Sequence, residues 1–347
     1  MAVFGIYRTI LALLVVAQHI GNVPNIGAYA VFGFYMLSGY LMTYVVQKNY
    51  GYSLKGIYKY GLNRFLRIYP IYWISALLSL VLIIGWGGAK AIEYHPDLYI
   101  PSTGEEVLKN VLIAFPYRDA PRLVPPAWAL TVELSYYAMI GLGLSRFKWL
   151  TILWFAASVI YHLAVNYLQL NWNYRYFNIA AASLPFSAGA LVYHYREPVL
   201  HFVRNGGRAT HVMFAFVLLG ASLNFVGGAN ANSSPVTFFY LNLVLNALIL
   251  VYLVNLNAIA PGFAGVVRKL DGKMGDLSYP IYLIHFQAGI LAILLFGQLG
   301  YPIHGLGPVL LAATLPVVML LAWLLTASIE KPIEAVRTRV KSGKAGN

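Results

Sequence analysis

The chain has 347 residues, of which 60% are hydrophobic and only 10% are charged. Soluble domains carry about 25% charged residues, so this composition excludes an ordinary soluble protein and indicates a protein dissolved in a lipid bilayer. The net charge of +13 does not predict a nucleic-acid partner, because Lys and Arg also collect in the cytoplasmic loops of membrane proteins. The absence of cysteine excludes disulfides, thiolate metal sites and a cysteine acyl-enzyme.

Ten apolar runs are long enough to cross a bilayer, which takes about 17–25 helical residues. They predict an all-α, polytopic bundle, with one membrane domain over residues 1–335 and a short basic cytoplasmic tail over 336–347. The first run is predicted to be a retained span, because no charged region precedes it as in a signal peptide. The predicted spans are residues 3–20, 26–46, 69–87, 125–144, 149–168, 176–194, 210–228, 235–256, 279–297 and 307–329.

The distribution of basic residues supports this segmentation. With both termini in the cytoplasm, all but five of the 24 Lys and Arg residues lie on the inner side, which is the asymmetry that the positive-inside rule predicts. We therefore expect a multi-pass protein in contact with membrane lipid, and outer loops without cysteine are compatible with a bacterial inner membrane. The five basic residues of the predicted outer loops are Lys90, Lys109, Arg118, Arg122 and Arg175.

The longest predicted outer loop, residues 88–124, contains a helix signal. In the stretch TGEEVLKNVLIAF, Thr103 is a candidate N-cap, and Glu105 and Glu106 fall in the first turn, where acidic side chains are favourable. The pattern predicts a short helix along the membrane surface.

Ionisable residues within spans are functional candidates, because burying them is costly. Arg8 and His19 are eleven residues apart on the first span, which places them on one face and roughly 16 Å apart along the axis. Glu133 on the fourth span has a similar predicted depth to His19, and a Glu133–His19 pair would make the imidazole a general base. A snorkelling Arg8, an interfacial His19 and a structural role for Glu133 are the alternatives.

A cationic segment precedes the third span. Arg64 and Arg67 are three residues apart and therefore neighbours on a helix, and paired guanidinium groups can grip phosphates. Lys59 adds charge nearby, and Pro70 predicts a break before the span. The alternative is a cluster that binds lipid head groups.

The ninth span carries a polar stripe. Ser278, Tyr282 and His285 are spaced i, i+4 and i+7 on an otherwise apolar helix; interhelical hydrogen bonding is the alternative to a functional site. After the tenth span, Glu330 and Lys331 are predicted to form an ion pair at the inner mouth. The remaining histidines lack metal-ligand spacing, so no metal site is predicted.

Together and in this order, these segments resemble the membrane-bound acyltransferase type 3 family, whose members acylate bacterial polysaccharides, lipopolysaccharide O-antigens and related glycans. The resemblance extends from residue 8 to residue 332. The segments that carry it are YRTILALLVVAQHIG with Arg8 and His19, FGFYMLSGYL, RFLRIYP, WALTVELSYY, LSYPIYLIH and IEKP.

The resemblance implies a cytoplasmic acyl-CoA co-substrate, with acetyl-CoA expected, and a glycan or glycolipid acceptor reached from the outer side. No permanently bound cofactor is implied. Arg64 and Arg67 match the arginines expected to meet the coenzyme A phosphates, and we group Lys59, Lys273, Ser278 and Tyr282 with them as donor-site candidates. His19 is the expected base, and Arg8, Glu133 and His285 complete the catalytic candidates.

The simplest predicted mechanism is direct attack on the thioester by an acceptor hydroxyl that His19 deprotonates. A transient acyl-histidine remains open, as does a homodimeric assembly. The rival interpretation is a transporter or flippase for a lipid-linked glycan or a small anion, because the same buried residues could line its pathway. A purely structural membrane protein is the third class considered.

Overall fold

The computed structural model describes residues 4–115, 122–205, 207–230, 235–259 and 261–342. Arg118 and the last five residues of the predicted tail lie outside these ranges. Within them the fold is helical, and the sole β-structure is an isolated parallel bridge between Leu98 and Arg122. The all-α prediction is therefore confirmed. The helices are α1 Gly5–His19, α2 Ile26–Val45, α3 Leu54–Trp86, α4 Gly88–Tyr94, α5 Gly104–Leu112, α6 Ala127–Gly141, α7 Lys148–Tyr167, α8 Ile179–Asn205, α9 Arg208–Asn230, α10 Pro235–Ile259, α11 Pro261–Gln298, α12 Pro308–Leu325 and α13 Lys331–Ser342.

Seven helical stretches in the described part of the chain are long and apolar enough to cross a membrane. Each overlaps one of the ten predicted spans. The other three predicted spans coincide with α1, α6 and α8, of which α1 and α6 have 15 residues each and measure only about 22 Å. The total of ten spans and the cytoplasmic location of the termini stay predictions. The seven stretches are Ile26–Tyr50, Leu54–Trp86, Lys148–Tyr167, Ala209–Asn230, Val236–Leu256, Val267–Gln298 and Pro308–Lys341.

Helix α3 corrects one prediction, because it continues through Pro70 as a single helix of 33 residues. A proline removes one backbone hydrogen bond. A helix end in apolar surroundings leaves up to four unpaired carbonyl groups. Continuing the helix therefore costs less than breaking it, and the predicted break does not occur.

The chain divides into two compact units. The first comprises Met1–Val15, Pro24–Ser53 and Tyr136–Gly275. In it, α8 packs against α2, α7 and α10, and α10 packs against α9. Gly39 on α2 and Gly189 on α8 permit the closest approach, since a Cβ atom at either residue would overlap a backbone carbonyl of the facing helix. Small residues of this kind allow helix backbones in membranes to touch.

The second unit comprises Val16–Val23, Leu54–Ser135 and Asp276–Asn347. In it, α3 and the later part of α11 run side by side: the Tyr279 hydroxyl donates to the Ile68 carbonyl at 2.8 Å, and Gln287 Nε2 donates to Ser79 Oγ at 2.7 Å. Residue numbers rise together along both helices, so the two helices are parallel, as the predicted segmentation requires.

The predicted short helix is confirmed as α5, with Thr103 as its N-cap, while its location along the membrane surface stays a prediction. Thr103 Oγ1 accepts the Glu106 amide N–H at 3.2 Å, and the Glu106 carboxylate accepts the Thr103 amide N–H at 3.3 Å. The carboxylate also accepts the Ser102 amide N–H at 2.7 Å, and this bond lowers the pKa of Glu106 from its ordinary value. The helix start is thus fixed by a reciprocal capping box.

Gly189→Ala should destabilise the protein by about 1–3 kcal/mol, because the new methyl group overlaps the backbone of α2 and forces the two helices apart. The matched control is Gly61→Ala in α3, where a Cβ atom meets nothing within 4 Å. The measurement is the thermal unfolding midpoint of purified protein in detergent. A Gly189→Ala midpoint equal to that of Gly61→Ala would contradict the packing role.

Candidate active site

Two histidines meet in the second unit, at the end of α1 and within α11. His19 is the last residue of α1, and its Nδ1 lies 2.9 Å from Nε2 of the buried His285. The Phe286 ring covers both imidazoles, with its centroid 5.2 Å from that of His19 and 4.5 Å from that of His285. The sequence singled out both histidines, but it did not predict that they pair with each other.

Hydrogen bonding determines the tautomer of each ring. His285 Nδ1 lies 2.8 Å from the Tyr282 carbonyl oxygen. A carbonyl can only accept, so Nδ1 carries the proton and the neutral ring has its lone pair on Nε2. His285 Nε2 therefore accepts the proton of His19 Nδ1, and the lone pair of His19 lies on Nε2. Nε2 is consequently the atom of His19 that can take up a proton.

A third histidine, His95, joins this pair from the segment after α4. Its ring meets Phe286 edge to face at 4.5 Å, and it lies within electrostatic range of both His19 and His285. Its Nδ1 accepts the Asp97 amide N–H at 3.2 Å. The proton of the neutral ring is therefore on Nε2, so His95 is a hydrogen-bond donor at that atom.

A buried ion pair holds the segment that carries His95. Arg122 is fully buried, and its Nη2 lies 2.5 Å from Asp97 Oδ2. The two backbones also pair, since the Arg122 amide N–H donates to the Asp97 carbonyl at 3.3 Å. Asn110 of α5 extends the connection by accepting the Leu123 amide N–H at 2.9 Å. Residues 95–99 and 122–123 are thereby fixed to each other and to α5.

The expected Glu133–His19 pair is corrected: His285, not Glu133, occupies Nδ1 of His19. Glu133 lies instead within electrostatic range of Tyr282, which is one turn before His285 on α11. The Tyr282 hydroxyl donates to the Pro126 carbonyl at 3.1 Å. Depth along a span does not determine which side of the helix a residue occupies, and the depth estimate was the basis of the prediction. A neutral partner for His19 also avoids burying a charge.

The arginines predicted to bind the donor lie on α3. Arg67 forms an ion pair with the buried Glu330 and sits over the Tyr279 ring, 6.0 Å from its centroid. This corrects the predicted Glu330–Lys331 pair, because α3 brings a guanidinium to Glu330 while Lys331 is exposed. Arg64 Nη2 donates to Asn63 Oδ1 at 2.8 Å.

The other candidates are spread more widely. Lys59 precedes Arg64 by five residues on α3, which turns it about 140° around the helix from Arg64. Ser278 is buried on α11. Arg8 and the exposed Lys273 belong to the first unit, and the remaining candidates belong to the second.

Sequence reasoning missed His95, Asp97 and Arg122. All three lie in a predicted outer loop without periodicity, and the ion pair closes across 25 residues. Among the described residues, no group of three or more His, Cys, Asp or Glu side chains is arranged to hold a metal ion. His19, His285 and His95 form the histidine cluster, in which His19 and His285 share a hydrogen bond and His95 lies against Phe286 beside them.

Comparison with known proteins gives one match. A family model described as an acyltransferase domain matches residues 4–327, nearly the whole chain. No curated protein and no solved structure matches significantly. The family match thus coincides with the helical region that contains the histidine cluster and the arginines of α3.

Asp97→Asn should destabilise the protein by about 3 kcal/mol, because it leaves the fully buried charge of Arg122 without its carboxylate. Asp97 is 27% exposed, which places the value at the low end of the range for buried pairs. Glu105→Gln is the control, since it breaks the Lys109–Glu105 pair at a residue that is 74% exposed and should cost under 1 kcal/mol. Equal unfolding midpoints for the two variants in detergent would show that the Asp97–Arg122 pair does not hold this segment.

Proposed function

The chain belongs to the membrane acyltransferase type 3 family, and we propose that it transfers an acetyl group from acetyl-CoA to a hydroxyl of a bacterial glycan or glycolipid. Acyl transfer needs a base for the attacking hydroxyl and a place for the donor. The second unit offers a candidate for each, in the histidine cluster and in the arginines of α3. We place the protein in a bacterial inner membrane, and the positive-inside pattern supports the orientation in which the donor binds on the cytoplasmic side and the acceptor on the other.

The observation that carries the proposal is the pair of hydrogen bonds that fixes the tautomer of His19. Its Nδ1 is held by His285, whose own Nδ1 is held by the Tyr282 carbonyl. The lone pair on His19 Nε2 is therefore aimed by two hydrogen bonds. His285 acts as a positioning residue in the way that a carboxylate orients the base of a hydrolase triad, but without a buried charge.

His19 alone can carry out both proton transfers that the reaction requires. The acceptor oxygen attacks the thioester carbonyl carbon while its proton passes to His19 Nε2. The tetrahedral intermediate then expels the coenzyme A sulfur as the C–S bond breaks, and the sulfur takes the proton back from His19. The products are an acetyl ester and free coenzyme A, and His19 returns to its starting tautomer.

His95 suits the negative charge that develops on the thioester oxygen. Its Nε2 carries a proton, because the Asp97 amide occupies Nδ1, and the ring lies against Phe286 beside both other histidines. A fixed donor aimed at an oxyanion is among the strongest contributions to acyl-transfer catalysis. We assign this role to His95.

The distance between the two ends of the site suits coenzyme A. Arg67 sits over Tyr279, and Tyr279 precedes His285 by six residues, about 9 Å along α11. Phosphates bound by the α3 arginines near Tyr279 would therefore lie about 9 Å, measured along α11, from the level of His285 and the thioester beside His19. The flexible pantetheine arm of coenzyme A joins phosphates and thioester across such a gap.

The direct test uses purified protein in proteoliposomes with labelled acetyl-CoA on the face that bears Arg64. The proposal requires release of free coenzyme A that depends on a glycan acceptor, and a gain of one acetyl mass on that acceptor. Movement of a glycan or anion across the vesicle without acetyl-CoA consumption would instead identify a transporter. Cell-surface glycan from wild-type and deletion strains, compared by mass, would identify the acceptor.

His19→Ala should lower kcat by about 10²–10⁴-fold while coenzyme A binding stays near wild type. His285→Leu should approach that loss, because it removes the acceptor for His19 Nδ1. His285→Gln keeps an oxygen that can accept this proton, so it should retain much more activity than His285→Leu. If the Leu and Gln variants have equal kcat, His285 does not position the base.

Two amide substitutions at His95 distinguish a catalytic role of this residue from a purely structural one. His95→Gln keeps an N–H near the position of Nε2, whereas His95→Asn keeps an acceptor for the Asp97 amide but its shorter side chain does not bring an N–H to the position of Nε2. An oxyanion donor predicts that Asn lowers kcat by about 10²–10³-fold and that Gln restores a large part of it, with KM for acetyl-CoA little changed. If His95→Asn kept a high kcat and His95→Gln did not, His95 would serve only to bind the Asp97 amide and would not stabilise the oxyanion.

A further inference from the structure

The C-terminal helix α13 packs against α3, and one buried side chain connects them. Asn63 Nδ2 donates to the Arg337 carbonyl at 3.3 Å, which ties the Asn63 side chain on α3 to the backbone of α13. Asn63 Oδ1 in turn accepts from Arg64 Nη2 at 2.8 Å and from Arg337 Nε and Nη2 at 3.4 Å each. Two guanidinium groups, from different helices, therefore converge on one neutral oxygen atom.

The electrostatics of this arrangement point to an anion. Arg64 and Arg337 each reach Asn63 Oδ1, so nitrogens of the two groups lie within about 6 Å of each other, the sum of the 2.8 and 3.4 Å bonds. Arg67, one turn along α3, adds a third guanidinium next to Glu330. These four charged groups sum to +2. Like charges this close repel, and a phosphate would relieve the repulsion by accepting from several guanidinium nitrogens at once.

We propose that Arg337 is part of the donor site and binds a phosphate of coenzyme A together with Arg64. The inference rests on the proposed function, which supplies the phosphate-bearing ligand, and extends it to a helix that the sequence marked only as a basic tail. Arg67, held by Glu330, fixes the position of α3 beside this site. The donor would then bridge α3 and α13.

The same helix offers a matched control. Arg339 follows Arg337 by two residues, which turns it about 200° around α13, and it is exposed. Arg337→Ala and Arg339→Ala thus remove the same charge from opposite faces of one helix. The backbone bond from Asn63 survives in both variants, because it uses the carbonyl of residue 337.

The experiment measures binding of coenzyme A and of a phosphate-free pantetheine thioester to purified protein in a neutral detergent. Arg337→Ala should weaken coenzyme A binding roughly 10- to 100-fold and leave binding of the pantetheine thioester unaffected. Arg337→Lys should recover part of the affinity, and Arg339→Ala should match wild type. Unfolding midpoints of all variants check that α13 remains docked.

Several outcomes would overturn the inference. Wild-type coenzyme A affinity in Arg337→Ala, with a clear loss in Arg64→Ala, would leave the proposed function standing and remove Arg337 from the donor site. An effect of Arg337→Ala that appears only in vesicles containing anionic lipid would assign the cluster to lipid head-group phosphates. If wild-type protein neither binds coenzyme A nor transfers acetyl groups, the proposed function itself fails.

Discussion

A histidine can act as a base in an apolar protein interior only if one ring nitrogen keeps its lone pair while the other is held in place. Any partner that brings a full charge adds a desolvation cost of several kcal/mol, and an unpaired N–H is also costly. The hydrogen bonds from His19 to His285, and from His285 to the Tyr282 carbonyl, meet both conditions with neutral groups. The role of His19 as the base depends on these two bonds.

The rest of the second unit supports that short chain of hydrogen bonds. The parallel contact of α3 with α11 fixes the helix that carries His285, through Gln287 and Ser79 on one side and Tyr279 on the other. The Asp97–Arg122 pair fixes the segment that carries His95. The buried charges of Arg122 and Glu330 are paired with Asp97 and Arg67, and the helices position the uncharged histidines. The proposed chemistry and the stability of this unit therefore share the same contacts.

The predictable part of the molecule was the part encoded in local patterns. Apolar runs, the capping residue Thr103 and the isolated ionisable residues His19 and His285 could all be recognised from the sequence, because each follows from helix geometry or from the cost of burial. The order of motifs also indicated the family. These features depend on residues close together in the chain.

The features that could not be predicted depend on contacts between distant segments. His285 took the place expected for Glu133 because span depth carries no information about which faces of two helices meet. Arg67 took the place of Lys331 beside Glu330 because their helices pack together, and His95 had no periodic pattern to mark it. Pro70 failed to break α3 because apolar surroundings penalise a helix end more than one lost hydrogen bond.

The tautomer of His19 is the central claim, and ¹⁵N NMR measures it directly. Protein labelled at the histidine ring nitrogens gives different shifts for protonated and bare nitrogens, and the spectrum of His19→Gln identifies the His19 signals by their loss. The account predicts a protonated Nδ1 and a bare Nε2 for His19 at neutral pH, with the Nδ1 signal shifted in His285→Leu. A protonated Nε2 and a bare Nδ1 would contradict the account, because His19 could then neither donate to His285 nor take the proton of the acceptor at Nε2.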